Sequence, residues 1–85
     1  MRDRALRTGR VVDAAGRPIQ GALVSVVWGT APTPEIARRT DATGAFHVGL
    51  PPGRFRLEAA TASEIGHVEV EGGMGEEIVI RVSAP

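Results

Sequence analysis

The sequence predicts an all-β fold, a seven-stranded Greek-key β-sandwich, on three observations. From Thr40 to Leu57 it reads as a tight turn, a strand, a Pro-Pro-Gly corner and a second strand. Apolar residues alternate with polar or small ones along most of the chain, the period-2 signature of half-buried strands. Turn residues recur every 8–12 positions or so, as in small β-sandwiches, and no segment carries a helical stripe of useful length.

Residues 1–6 read as a basic lead-in to a single domain over residues 7–83. The first strand is expected from Arg7 to Val12, with Val11 inward. Asp13 to Pro18 is a turn by composition, Asp opening it and Gly16 supplying the corner. The second strand, Ala22 to Trp28, places Ala22, Val24 and Val26 on one face and Leu23, Ser25 and Val27 on the other. That second face is apolar enough to expect cover from a loop or a neighbour. Gly29 to Pro34 is a loop stiffened by two prolines. Glu35 to Thr40 reads as a polar strand at a sheet edge, with a short helix as the competing reading.

Asp41-Ala42-Thr43-Gly44 suits a type I turn, Asp first and Gly fourth. Strands follow from Ala45 to Gly49 and from Arg54 to Thr61, separated by Pro51-Pro52-Gly53, where two prolines cannot donate to a ladder. Ile65 to Val70 and Glu77 to Val82 complete the set, with Gly72 to Gly75 expected as a mobile turn between them. The consistent phase predicts burial of Val11, Val24, Val26, Phe46, Phe55, Leu57, Val68, Ile78 and Ile80.

A chain of 85 residues holds one small domain, and a hydrophobic fraction of 42% argues against disorder. With no cysteine, disulfides, thiolate metal sites and cysteine nucleophiles are excluded, and the cellular compartment is left open. No apolar run approaches the ~18 residues of a membrane span, and the first residues lack a signal-peptide core. Zero net charge argues against a general nucleic-acid or anionic-membrane binder. The charge is uneven, however: residues 1–57 hold nine arginines against four acids, and residues 58–85 one against six. This predicts that the basic first strand lies near the acidic last ones, with head-to-tail packing of copies as the alternative.

Gly9 to Val26, Thr40 to Phe46 and Leu50 to Leu57, three blocks in order at compatible spacing, together resemble the carboxypeptidase regulatory-like domain. The resemblance covers roughly residues 7–82 and implies a prealbumin-like (transthyretin-like) or immunoglobulin-like sandwich. It also implies an appended module, common in exported or surface proteins, with no active site of its own. On that reading Gly9, Gly21, Gly44 and Gly53 shape the backbone. The transthyretin-like fold also hosts hydroxyisourate hydrolases, but their C-terminal Tyr-Arg-Gly-Ser signature has no counterpart in a chain without tyrosine. A Lys–Asn isopeptide cross-link, found in some related surface domains, is chemically impossible without lysine or asparagine.

Candidate chemistry is sparse. His47 and His67 both take the outward phase; they would approach Glu69 only if the fourth and sixth strands were neighbours, and zinc needs three or four convergent ligands. No metal or cofactor is expected. Ser63 lies four residues before His67 without a nucleophile motif around it. Trp28 continues the inward phase of Ala22, Val24 and Val26, which predicts packing in the core or at its rim; stacking on a sugar ring is the alternative. Arg38-Arg39 could hold an anion but suits a solubilising edge. The expected function is therefore a non-catalytic structural or protein-interaction module contacting a neighbouring domain or partner protein. The alternative is a carbohydrate or small-ligand module using Trp28 and the loop to Pro34. Leu23, Val27, Trp28, Arg38 and Arg39 are the candidate contact residues. Charges at Arg7, Arg10, Glu35, Arg38 and Arg39, on strands taken as edges, predict a monomer or weak self-association.

Overall fold

A computed structural model describes residues 5–33 and 37–85 of the chain, and among them all regular structure is β. The strands are β1 (Ala5–Val12), β2 (Leu23–Gly29), β3 (Arg38–Arg39), β4 (Ala45–Leu50), β5 (Arg54–Ala60), β6 (Ile65–Glu71) and β7 (Ile78–Arg81). They form a three-stranded sheet, β4-β1-β7, and a four-stranded sheet, β3-β2-β5-β6. Pairing is antiparallel throughout except for β1 with β7, which run parallel. The chain changes sheet after β1, β3, β4 and β6. Two sheets of this kind bury their facing surfaces and leave two outer faces to solvent.

The core between the sheets holds Val11, Ala22, Val24, Phe46, Leu50, Phe55, Leu57, Ala59, Ile78, Ile80 and Val82. The alternation that predicted burial is followed closely in β4, β5 and β7. Val26 and Val68 are only partly buried and pack against this core from its margin. For Val68 the reason is topological, since β6 is the last strand of its sheet and has a neighbour on one side only.

Two copies of one turn brace the start of the fold. In each, an aspartate accepts main-chain hydrogen bonds through its carboxylate from the residues two and four places on. Ala15 and Arg17 donate to Asp13 at 2.9 Å each, and Thr43 and Ala45 donate to Asp41 at 2.8 and 3.0 Å. The fourth residue is glycine in both, bonded back to the aspartate carbonyl at 2.9 Å. Gly44 has a positive φ of 77°, and a Cβ there would come within 2.8 Å of the Val11 carbonyl oxygen, so only glycine fits. The Arg17 amide, chiefly, holds the Asp13 carboxyl below its usual range; for Asp41 the Thr43 hydroxyl leads, followed by the Ala45 amide. Any stability drawn from these lowered values is present above the ordinary aspartate pKa and is lost as pH falls through the lowered ones.

The structure corrects further expectations. The first strand is not an edge: β1 lies between β4 and β7, so Arg7 and Arg10 guard no open ladder. Arg10 instead faces Glu77 on the outer surface at 3.8 Å. Arg7 shares the inward phase of Val11 and is only 7% exposed. It crosses the open end of the sandwich and donates to the main-chain carbonyls of Glu71 (2.6 Å), Gly73 (3.2 Å) and Glu76 (2.9 Å). The Gly72–Gly75 turn is accordingly tied down rather than loose, since Gly72 and Gly73 also donate to the carbonyls of Gly53 and Leu50. Finally, the polar third strand is reduced to Arg38–Arg39, at the sheet edge as expected; residues 34–36, including Glu35, lie outside the described residues, as do residues 1–4 of the lead-in.

Arg7 is thus the cation that joins the first strand to the last turn. Arg7→Ala should cost about 2–4 kcal/mol, because hydrogen bonds from a charged donor are worth more than neutral ones and three are lost together. Denaturant unfolding measures the cost, and amide exchange should show the loss concentrated at Gly72 and Gly73. A cost no larger than that of an ordinary surface substitution contradicts this role.

Candidate functional site

The chemistry gathers on the outer face of the four-stranded sheet. Cross-strand register orders that face into rows. Leu23 of β2, Ala60 of β5 and Ile65 of β6 form one end. Ser25, Glu58 and His67 form the next row, and Trp28, Arg56 and Glu69 the one after. Arg54 and Glu71 close the far end. Within the rows His67 Nε2 lies 3.1 Å from Glu58 Oε1, and Arg56 Nη2 lies 2.7 Å from Glu69 Oε2. Both pairs are well exposed, so they set the texture of the face more than its stability.

Trp28 stands outward, against the expectation of core packing. The ladder between β2 and β5 pairs Val26 with Leu57 and then Trp28 with Arg56, so Val27 is an extra residue, a β-bulge. A bulge inverts the phase of everything beyond it. Val27 keeps the outward direction of Leu23 and Ser25, and Trp28 joins it on the same side. Four large apolar side chains therefore share one exposed face: Trp28 (53% exposed), Val27 (47%), Leu23 (37%) and Ile65 (37%).

The indole is flanked on two sides. A concavity of about 570 Å³ opens between Trp28, Arg54, Arg56, Glu69 and Glu71. A second, of about 640 Å³, lies between Trp28 and the loop of Gly29 to Thr33. Of the residues marked in the sequence, Leu23, Val27 and Trp28 are brought together, and Arg39 joins their margin opposite Leu23 on β3, where it donates to the Gly21 carbonyl at 3.1 Å. Arg38 does not join them. It stands opposite inward-facing Val24 and so occupies the flank between the sheets, where it is exposed. The sequence reading missed Ile65, Arg54, Arg56, Glu69 and Glu71 as members of this face. Their outward phase was legible, but their adjacency to Trp28 depends on the strand order β2-β5-β6.

The histidines stay apart. His47 lies on β4 of the three-stranded sheet and His67 on β6 of the other, so the neighbouring strands needed to gather them with Glu69 do not exist. Ser63 sits in the hairpin between β5 and β6, where its amide donates to Thr61.

A family model for the carboxypeptidase regulatory-like domain matches residues 8–83, and the chain belongs to that family. The match accounts for the two-sheet architecture and points to a non-catalytic accessory domain. No curated protein matches the chain.

The orientation of Trp28 has a simple optical consequence. Native fluorescence should be red-shifted and readily quenched by acrylamide, changing little on unfolding. A blue-shifted, poorly quenched emission would place the indole back in the core and remove the face described above.

Proposed function

We propose that this carboxypeptidase regulatory-like domain is a non-catalytic docking module that seats a protein partner on the outer face of its four-stranded sheet. The partner is a neighbouring domain or a separate polypeptide. The observation that carries this reading is the coincidence of Leu23, Val27, Trp28 and Ile65 on one exposed face, beside Arg54 and Arg56. The solvated face of an antiparallel sheet is ordinarily polar. Tryptophan and arginine are the side chains most enriched among the dominant contacts of protein interfaces, where an aromatic anchor fills a pocket and polar neighbours exclude water. Trp28 has that setting, an apolar platform rimmed by paired charges.

A second reading, carbohydrate binding, draws on the concavity beside Trp28. There the indole lies next to guanidinium and carboxylate groups that could bond sugar hydroxyls while the ring stacks on the sugar. It ranks second because Trp28 is the only tryptophan in the chain and the face has no second aromatic platform.

The two readings separate in one experiment. With a photo-cross-linking side chain at position 27 of the protein in its own cell, docking predicts a cross-link to a discrete polypeptide, lost in Trp28→Asp. It also predicts no saturable change in Trp28 fluorescence across a panel of soluble oligosaccharides. A saturable oligosaccharide response without a protein cross-link would overturn docking in favour of the second reading.

A further inference from the structure

Two sheets have four edge strands, and each presents main-chain groups that invite another strand unless something prevents it. Three of the edges here are blunted. β3 is two residues long and both are arginines. β6 is fastened to the opposite sheet at each end, by the Ile65–Ser83 bridge and by Arg7 on the Glu71 carbonyl. β7 has four residues, ends in Arg81 and runs into that same bridge. β4 differs from all three. Its six residues, Ala-Phe-His-Val-Gly-Leu, include no proline, acid, lysine or arginine.

The direction of its free groups follows from the ladder. The Gly44 carbonyl accepts from the Val11 amide at 2.8 Å, and the register continues with Phe46 opposite Gly9 and Val48 opposite Arg7. Even-numbered residues of β4 therefore bond to β1. Ala45 turns the other way, its carbonyl accepting from the Asp41 amide and its amide donating to the Asp41 carboxylate. By strand alternation the N–H and C=O of His47 and Gly49 point the same way as those of Ala45. Among the described residues nothing takes them. His47 is exposed, and Gly49 has no side chain to hold an approaching backbone away.

Two charges stand beside this edge: the Asp41 carboxylate at its Ala45 end, already engaged by the amides of Thr43 and Ala45, and Arg38 of β3, which selects the occupant. β3 contacts β4 across that flank of the sandwich, and Arg38, opposite inward-facing Val24, stands on the side of β3 that faces between the sheets. We infer that the outward edge of β4 accepts an extended, acidic polypeptide segment, which pairs with the main chain of His47 and Gly49 and sets a carboxylate beside Arg38. Strand addition of this kind takes its affinity from main-chain bonds and its selectivity from flanking side chains. A second copy of the chain is the poorer occupant. Pairing β4 with its own copy would bring two β3 strands, each carrying Arg38 and Arg39, face to face.

The test uses two synthetic heptapeptides, acetyl-Thr-Val-Glu-Val-Glu-Val-Thr-amide and its counterpart with lysine in place of glutamate, with amide exchange followed by NMR. The acidic peptide should slow exchange at His47 and Gly49 and leave Val48, already bonded to β1, unchanged. The lysine peptide should bind about fivefold more weakly, the scale of one exposed charge pair. Arg38→Glu should reverse that order, and Gly49→Pro, which removes an outward donor without touching the β1 ladder, should abolish binding. Should Gly49→Pro fail to fold, Arg38→Glu, on a two-residue edge strand, still decides. Equal affinity for the two peptides, shifts confined to the Trp28 face, or slowed exchange at His47 and Gly49 on concentrating the protein alone would each overturn the inference.

Discussion

The ring of Phe55 finds room in this thin sandwich because the backbone around it lacks side chains. It lies against Gly29, Gly53 and Gly72, and a Cβ added at Gly72 would come within 2.8 Å of it. Had β2 continued in the register that pairs Val26 with Leu57, Trp28 would stand opposite Phe55 on the inner face. Two large aromatic rings would then compete for a space that holds one, and overpacking of that kind is destabilising. The extra residue, Val27, shifts the ladder by one and brings Gly29 opposite Phe55 instead. Core packing thereby decides surface chemistry, since the same shift turns Trp28 outward beside Arg56.

Much of the architecture was legible because its signal is local. Phe46, Phe55, Leu57, Ile78 and Ile80 alternate with polar or small neighbours over whole strands, and the structure buries each of them. Trp28 was not legible, because a bulge is a single-residue event and nothing in Ser25 to Gly29 marks it except the glycine that follows. Arg7 is the complementary case. Its phase, shared with Val11, pointed inward, but its charge argued for the surface. The carbonyls of Glu71, Gly73 and Glu76 resolve that conflict, and they come from the far end of the chain. Within the candidate site, Leu23 and Val27 could be read from β2 alone. Arg56, Glu69 and Ile65 required a strand order that no local pattern encodes.

The two proposed binding features use different physics and different sheets. The Trp28 face offers side chains over a closed hydrogen-bond ladder, so a partner there gains from apolar burial and from the guanidinium groups at the rim. The β4 edge offers main-chain donors and acceptors, so an occupant there must be extended but need not be apolar. Part of the charge asymmetry along the chain is met within it, where Arg10 faces Glu77 and Arg56 pairs with Glu69 beside Trp28.

The register shift at Val27 sets both the packing of Phe55 and the outward turn of Trp28, and the nuclear Overhauser contacts of the Phe55 ring protons test it most directly. With Gly29 opposite Phe55, contacts are expected from that ring to the α-protons of Gly29 and Gly72 and none to the Trp28 indole. A strong contact between the Phe55 ring and the indole would mean that β2 runs without a bulge, that Trp28 belongs to the core, and that the proposed docking face does not exist.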